Sequence, residues 1–149
     1  MKELVELTLN ECLTLLGDSV VGRVAMVTPV GLRLLPVNYT MYEDEIIFRT
    51  SPSSQLGTYA VGSELAFEID HLDHERHEGW SVVALGTAEI IDDPKELADI
   101  KQHWDPQPWA AGLRHLYLRI VWRDITGRRI GSEVGDPPLT AQGRGDDTV

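Results

Sequence analysis

Two arginines and a hydroxyl-rich segment have the residue types and spacing best suited to binding an anion. Arg33 and Arg49 lie on two successive predicted strands, and a Thr-Ser-Pro-Ser-Ser-Gln segment follows Arg49 and leads into a short predicted helix. Guanidinium groups, hydroxyls and the free N–H groups of a helix start all bind phosphate. Counting back from the predicted turn at Tyr42–Glu45 places both arginines on neighbouring strands at similar heights. We therefore predict a phosphate site formed by Arg33, Arg49, Thr50, Ser53, Ser54 and Gln55.

A simpler interpretation of the same residues stays open. Ser53 or Ser54 can act only as the cap of the helix, and the two arginines can make only surface ion pairs. Under this interpretation the segment has a structural role and binds no ligand.

Three histidines, His71, His74 and His77, raise the question of a metal site. Their spacing of three residues would spread them around a helix, and between two strands they form a solvated polar loop. Zinc needs a few ligands in an ordered geometry, so we predict no metal site here. The sequence also has no dinucleotide-binding glycine motif, P-loop or nucleophile elbow.

The charge balance limits the classes of partner. The 149 residues include 13 Lys and Arg against 24 Asp and Glu, which gives a formal net charge of −11. Such a field repels the phosphates of nucleic acid, so we exclude nucleic acid as a partner. An anionic ligand would need local arginines to overcome the same field.

We predict a soluble protein of the cytoplasm. Cys12 is the single cysteine, so the chain can form no intramolecular disulfide. No apolar run approaches the roughly 18 residues that a membrane span needs. The first residues, Met1–Glu6, carry acids where a signal peptide carries basic charge.

The hydrophobic pattern predicts short helices and a series of strands. Thr8 and Glu11 have capping-box spacing, and apolar residues then recur at helical spacing up to Leu16. Later segments are β-branched and joined by short turns, a pattern typical of an antiparallel meander. Two further helices are predicted, one after Ser54 and one at Pro94–His103. The six predicted strands are Val20–Thr28, Leu32–Met41, Ile46–Thr50, Glu64–Asp70, Trp80–Asp92 and His115–Ile125.

These elements predict a mainly β fold, a closed or half-closed antiparallel barrel of six strands with short helices between them. We assign residues 1–131 to one barrel domain. Residues 132–149 are rich in Gly, Asp and Pro and offer little to bury, so we predict that they form a flexible C-terminal tail.

Six short motifs between about Leu7 and Gly131 together carry a family resemblance. They are Val-Gly-Arg-Val-Ala at Val21–Ala25, Leu-Pro-Val-Asn-Tyr at Leu35–Tyr39, Phe-Arg-Thr-Ser-Pro-Ser-Ser-Gln-Leu at Phe48–Leu56, Gly-Trp-Ser-Val at Gly79–Val82, Pro-Trp-Ala at Pro108–Ala110 and Ile-Thr-Gly-Arg-Arg-Ile at Ile125–Ile130. In this order they resemble the pyridoxamine 5′-phosphate oxidase-like family of FMN-binding split barrels. The resemblance implies a six-stranded split β-barrel that binds FMN at the interface of a homodimer.

The resemblance also implies which residues contact the flavin ring. Main-chain groups of Pro36, Val37 and Asn38 would lie along the ring, and Ser81 would place a polar side chain near it. A flat apolar slot with hydrogen bonds at one edge suits this ring. Two tryptophans are predicted to wall the pocket, with core packing as the alternative role of each: Trp80 and Trp109.

A second set of implied contacts concerns the phosphate. Arg49 and Thr50 match one contact pair of the family, and Ser54 and Gln55 match its phosphate turn. Arg128 falls close to a C-terminal contact. Relatives of this subgroup usually have lysine where this chain has Gln55, so the site would carry one formal charge fewer.

The implied activity is that of an FMN-dependent oxidoreductase acting on a small molecule. Pyridoxamine-phosphate oxidases proper carry an Arg-x-His pair near the C-terminus, whereas this chain continues Arg129-Ile130-Gly131-Ser132, which disfavours vitamin B6 oxidation. The alternatives are a non-catalytic flavin-binding or flavin-sensing protein, and the same barrel binding a deazaflavin or haem.

Overall fold

Seven strands and three helices make up the part of the chain that the structure, a computed structural model, describes: residues 2–104 and 116–131. The strands are β1 (Leu4–Glu6), β2 (Val21–Thr28), β3 (Gly31–Tyr42), β4 (Glu45–Thr50), β5 (Glu64–Asp73), β6 (Glu78–Ile90) and β7 (Leu116–Ile130). The helices are α1 (Leu9–Asp18), α2 (Gln55–Tyr59) and α3 (Pro94–His103).

Six of the strands close into an antiparallel barrel. Around the ring, β2 pairs with β3, β3 with β4, β4 with β7, β7 with β6, β6 with β5, and β5 again with β2. The predicted mainly β, six-stranded barrel is therefore confirmed. One strand was not predicted: β1 adds to the end of β7, and its three exposed residues lack the alternation that identifies a strand in a sequence.

Several strand ends also differ from the prediction. β7 continues past the predicted end at Ile125 to Ile130, because its last residues pair with both β6 and β1. β5 continues to Asp73, and β6 begins and ends two residues earlier than predicted, so His71 lies within β5 and the polar turn shrinks to His74–His77. Cross-strand pairing keeps these polar residues in strands although their side chains bury little.

The barrel is split between β3 and β4. β3 pairs with β2 over the whole stretch from Gly31 to Asn38, but it pairs with β4 only over Tyr39–Tyr42. Within the described residues, no strand pairs with the other edge of Gly31–Asn38. The two strands thus part where Tyr39 faces Phe48, and an open edge of β3 follows.

Helix α1 closes the interior of the barrel. The predicted capping box is present, since Thr8 Oγ1 accepts from the Glu11 N–H at 3.2 Å and Glu11 Oε1 accepts from the Thr8 N–H at 3.1 Å. Cys12 and Leu16 on this helix are fully buried in the main core. The Tyr39 hydroxyl donates to the Leu16 carbonyl at 2.6 Å, which ties the last turn of α1 to β3.

A second, smaller apolar cluster lies on the outer face of the barrel under α3. Ile47 of β4 and Tyr117 of β7 pack there against Ile100 of α3 and Ile91. Because α3 has its own cluster, it docks on the barrel independently of the main core.

Several predictions fall on other parts of the chain. The predicted pocket tryptophan Trp109 and the predicted tail at 132–149 lie outside the described residues. Among the described residues, the structure has no helix that is both long enough and apolar enough to span a bilayer.

Two glycine variants test the packing of α1 on the barrel. A Cβ at Gly127 would lie 2.6 Å from Cys12 Sγ and 3.0 Å from Leu7 Cδ1, so we expect Gly127→Ala to lower the unfolding free energy by about 1–3 kcal/mol. A Cβ at Gly17, within α1, meets nothing within 4 Å, so Gly17→Ala should raise it by up to about 1 kcal/mol. Urea unfolding of the two variants measures both changes, and a stable Gly127→Ala protein would contradict this packing.

Candidate functional site

The open edge of β3 presents main-chain hydrogen-bonding groups. The Tyr39 N–H donates to the Val20 carbonyl on the β2 side at 3.0 Å. Since strand residues alternate the edge to which their N–H and C=O groups point, Asn38 and Pro36 turn theirs to the open edge. Pro36 is tolerated there because a proline nitrogen has no proton to donate to a neighbouring strand. The main chain of Val37 faces β2 instead, and its side chain is buried in the core, so the open edge uses Pro36 and Asn38 rather than all three predicted residues.

Arg49 lies directly across the split from this edge. Continuing the β3–β4 register beyond the Tyr39–Phe48 pair places Arg49 opposite Asn38. Both residues share the outer face of the sheet, because side chains alternate and Phe48 points into the core. The guanidinium carbon of Arg49 lies 5.8 Å from the centre of the Tyr117 ring, its cross-strand neighbour on β7.

The hydroxyl-rich turn after Arg49 is held together by its own side chains. Ser54 Oγ donates to the Ser51 carbonyl at 2.7 Å and accepts the Gly57 N–H at 3.0 Å, so Ser54 is the cap of α2. Its single proton is then used, and the buried Thr50 hydroxyl must donate to Ser54 Oγ at 2.7 Å. Ser53, whose hydroxyl lies 3.0 Å from that of Ser51, is exposed. The structural role expected of Ser54 is therefore present, and it shapes the turn.

Two residues of this turn define its remaining surface. Gln55, the first residue of α2, is exposed. Gly57 was not among the predicted site residues, yet a Cβ there would lie 2.2 Å from the Ser51 carbonyl oxygen. Only glycine lets the turn fold this tightly against α2. In the sequence, the one feature that could have identified Gly57 is its place one helical turn after the serine cap.

Arg33 does not lie at the height of Arg49, which corrects the sequence prediction. It is five residues beyond Asn38 along β3, so roughly 16 Å separates the two arginines along the strand. Its strand partner is the buried Met26, which places Arg33 on the inner-facing side near the barrel end. The turn itself sets this difference, because pairing outward from Tyr42 and Glu45 brings Asn38, and not Arg33, opposite Arg49.

Ser81 and Arg128 form a separate group. They are cross-strand partners on β6 and β7, with Asp70 beyond Ser81 and Glu6 beyond Arg128 in the same row. β6 is three strands away from β3 around the ring, about 14 Å. The structure thus brings Ser81 and Arg128 together but keeps them apart from the split within one chain.

Sequence and structure comparisons identify the family. A sequence model described as pyridoxamine 5′-phosphate oxidase matches residues 8–129. The chain belongs to this family. It is also 29% identical over 141 residues to uncharacterized protein Rv0080 of Mycobacterium tuberculosis, with 91% of each chain covered.

Two solved structures show the same fold in relatives of the pyridoxamine 5′-phosphate oxidase family. The FAD binding protein from Mycobacterium smegmatis has a TM-score of 0.70 at 29% identity, covering 84% of this chain and 97% of that one. A putative pyridoxamine 5′-phosphate oxidase from Corynebacterium glutamicum has a TM-score of 0.70 at 28% identity, covering 87% and 95%. The split barrel described above is therefore the fold of this family.

Trp80, predicted as a pocket wall of the family fold, is buried in the main core. Only 2% of its surface is exposed, and its ring centre lies 6.4 Å from that of His71 across the β5–β6 hairpin. The structure therefore shows core packing, the alternative role given for this tryptophan. Among the described residues, no group of three or more His, Cys, Asp or Glu side chains is arranged to hold a metal ion, and the three histidines are no exception.

An ionic cluster holds α3 against the barrel beside Arg49 and Tyr117. The Arg119 guanidinium of β7 donates two hydrogen bonds to Glu96 of α3, the second at 2.8 Å, and pairs with Glu89 at 2.9 Å. The bond from Arg119 lowers the pKa of Glu96, whereas burial raises the pKa of the neighbouring Glu45. The Glu96 pair thus fixes the position of the first turn of α3.

The lowered pKa of Glu96 predicts an acid-sensitive contribution to stability. The ordinary pKa of Glu96 is 4.5, so the contribution of the ion pair to stability is complete above pH 4.5. This contribution is lost as the pH falls through the lower pKa that Glu96 has in the folded protein. Wild-type protein should therefore lose more unfolding free energy below this pH than Glu96→Gln does. Urea unfolding across this pH range measures the difference. Glu75→Gln, which removes a charge from the exposed β5–β6 turn, is the control and should follow the wild type.

Proposed function

We propose that this protein binds FMN in the split between β3 and β4 and acts as a flavin-dependent oxidoreductase on a small molecule. The proposal rests on one observation: the open edge of β3, the cation of Arg49 and the hydroxyl-rich turn after Arg49 lie together. These groups meet where β3 and β4 part, at Asn38 and Arg49. Family membership and the FAD binding relative from Mycobacterium smegmatis support a flavin as the ligand.

The donor and acceptor groups at the split fit the two ends of such a cofactor. The N–H and C=O of Asn38 and the C=O of Pro36 suit the pyrimidine edge of an isoalloxazine ring, which both donates and accepts hydrogen bonds. Arg49 supplies a guanidinium fork for a phosphate, and Ser53 and Gln55 are exposed beside it. When bound, the flavin supplies hydride transfer. The protein's part would be to hold the ring, anchor the phosphate and exclude water.

We further propose that the working unit is a homodimer. The outer face of the β2–β3 hairpin carries apolar side chains that are largely exposed: Val27 at 67%, Leu32 at 75% and Leu34 at 65%. These side chains continue the row of Pro36 and Asn38, so covering them with a second copy would bury apolar surface directly beside the split. The same contact offers a way to bring Ser81 and Arg128 of one copy to the split of the other.

The proposed phosphate contact of Arg49 is tested by comparing its alanine variant with that of Arg33. Arg49→Ala should weaken FMN binding by about 1.5–3 kcal/mol, the range for a hydrogen bond to a charged group, and should weaken riboflavin binding much less. Arg33→Ala removes the same charge at a distance from the split and should change neither affinity much. Fluorescence titration of both variants with both ligands measures this. Equal losses for FMN and riboflavin in Arg49→Ala would contradict the phosphate contact.

The absorbance spectrum of the purified protein tests the cofactor itself. A bound flavin absorbs near about 450 nm and haem does not. Chromatography of the released cofactor then separates FMN from FAD, the ligand named for the Mycobacterium smegmatis relative. A protein that neither retains nor takes up any flavin would overturn the proposal.

The proposed interface is tested with two exposed apolar residues. Leu34→Asp places a charge in the apolar face of the hairpin and should convert the dimer to a monomer with weakened flavin binding. Val121→Asp places the same charge at an apolar side chain that is 42% exposed on β7, seven residues from Arg128, and should leave the dimer intact. Light scattering at micromolar concentration measures the mass of each. A wild type that is monomeric with flavin bound would show the dimer proposal to be wrong.

A further inference from the structure

Two cationic side chains approach one buried ring on the outer face of the barrel. Tyr117 of β7 is 4% exposed, and the guanidinium carbon of Arg49 lies 5.8 Å from its ring centre. The ammonium nitrogen of Lys101, on α3, lies 5.6 Å from the same centre. The two charges are therefore at most about 11 Å apart. Both side chains are long and flexible, so their charged groups can close on one phosphate.

The docking of α3 places Lys101 at this ring. Glu96 in the first turn of α3 is held by Arg119, and Ile100 is fully buried in the cluster that includes Tyr117. Lys101 directly follows Ile100, and it is exposed where Ile100 is not. Its ammonium group is therefore held near Arg49 while remaining open to solvent and to a ligand.

Lys101 has no carboxylate within ion-pair distance in residues 2–104 and 116–131, a property that it shares with Lys95. Lys2, Arg23, Arg119 and Arg123, by contrast, all pair with carboxylates. Lys101 is distinguished by its place, since it contacts the Tyr117 ring that Arg49 also approaches. In a chain of net charge −11, a cation left without a carboxylate beside Arg49 is available to an anion.

We propose that Lys101 is the second cation for the phosphate of the ligand bound at Arg49. The inference rests on the proposed flavin site and adds to it a residue from α3, a helix that no motif connects with the cofactor. It also explains how a site whose turn carries the uncharged Gln55 can attract an anion. Lys101 would bind the phosphate group only, so it should discriminate FMN from riboflavin.

The test is a charge removal with a matched control on the same helix. Lys101→Met should weaken FMN binding by about fivefold or more at low salt, with a smaller effect at high salt, and should leave riboflavin binding unchanged. Lys95→Met removes the same charge from the first turn of α3 and should change FMN affinity by less than about twofold. Fluorescence titration at both salt concentrations gives all of these affinities.

A packing role for Lys101 predicts a different result. If its contact with Tyr117 only holds α3 in place, Lys101→Met lowers the melting temperature and weakens FMN and riboflavin alike, which overturns the inference. Lys101→Arg keeps the charge and should keep FMN affinity within about twofold, so a loss as large as that of Lys101→Met also overturns it. If FMN affinity falls no more in Lys101→Met than in Lys95→Met, the inference fails and the flavin site stands. If the wild type binds neither ligand, the proposed function itself fails.

Discussion

The parting of β3 from β4 at the Tyr39–Phe48 pair is the constraint on which the candidate site depends. Strand pairing satisfies most backbone groups around the ring, although β2 and β5 pair over only three residues, and buried backbone groups rarely go without a partner. At this point β4 turns away into the serine-rich turn while β3 runs on for eight more residues. The unpaired backbone groups on this edge of β3 must form hydrogen bonds with water, with another chain or with a ligand. That requirement, rather than any single side chain, is the reason why we propose the split as the binding site.

The fold uses its few cations for two different purposes. Arg119 is surrounded by Glu45, Glu89 and Glu96, and its charge is used to attach α3 to the barrel. Arg49 and Lys101 instead approach a neutral ring, where attraction is weaker than to a carboxylate. In this chain of net charge −11, the anion site that we propose needs cations outside the Arg119 cluster. Here the buried Tyr117 separates the two groups, since it occupies the space between Arg119 and the split.

The sequence predicts those elements whose cause lies in neighbouring residues of the chain. It does not predict features that depend on how one strand positions another. The cap of α1 follows from Thr8 and Glu11 alone, and the closed ring follows from alternation and short turns. The strand β1 does not, because it exists only where β7 offers it an edge. The prediction for Arg33 was wrong for a different reason, since the register from the Tyr42–Glu45 turn already brings Asn38, five residues from Arg33, opposite Arg49.

The distribution of the site residues argues that one copy of the chain is an incomplete site. Asn38 and Arg49 face each other across the split, while Ser81 and Arg128 face each other on the opposite part of the ring. On the side of β4 and β7 these strands pair over five residues, which keeps the two groups apart within one copy of the chain. The exposed apolar face of the β2–β3 hairpin lies between them on β3 and β2. In the homodimer that we propose, a symmetric contact through that face would remove the apolar surface from water and would bring a second pair of polar groups to each split, so one association would meet both demands.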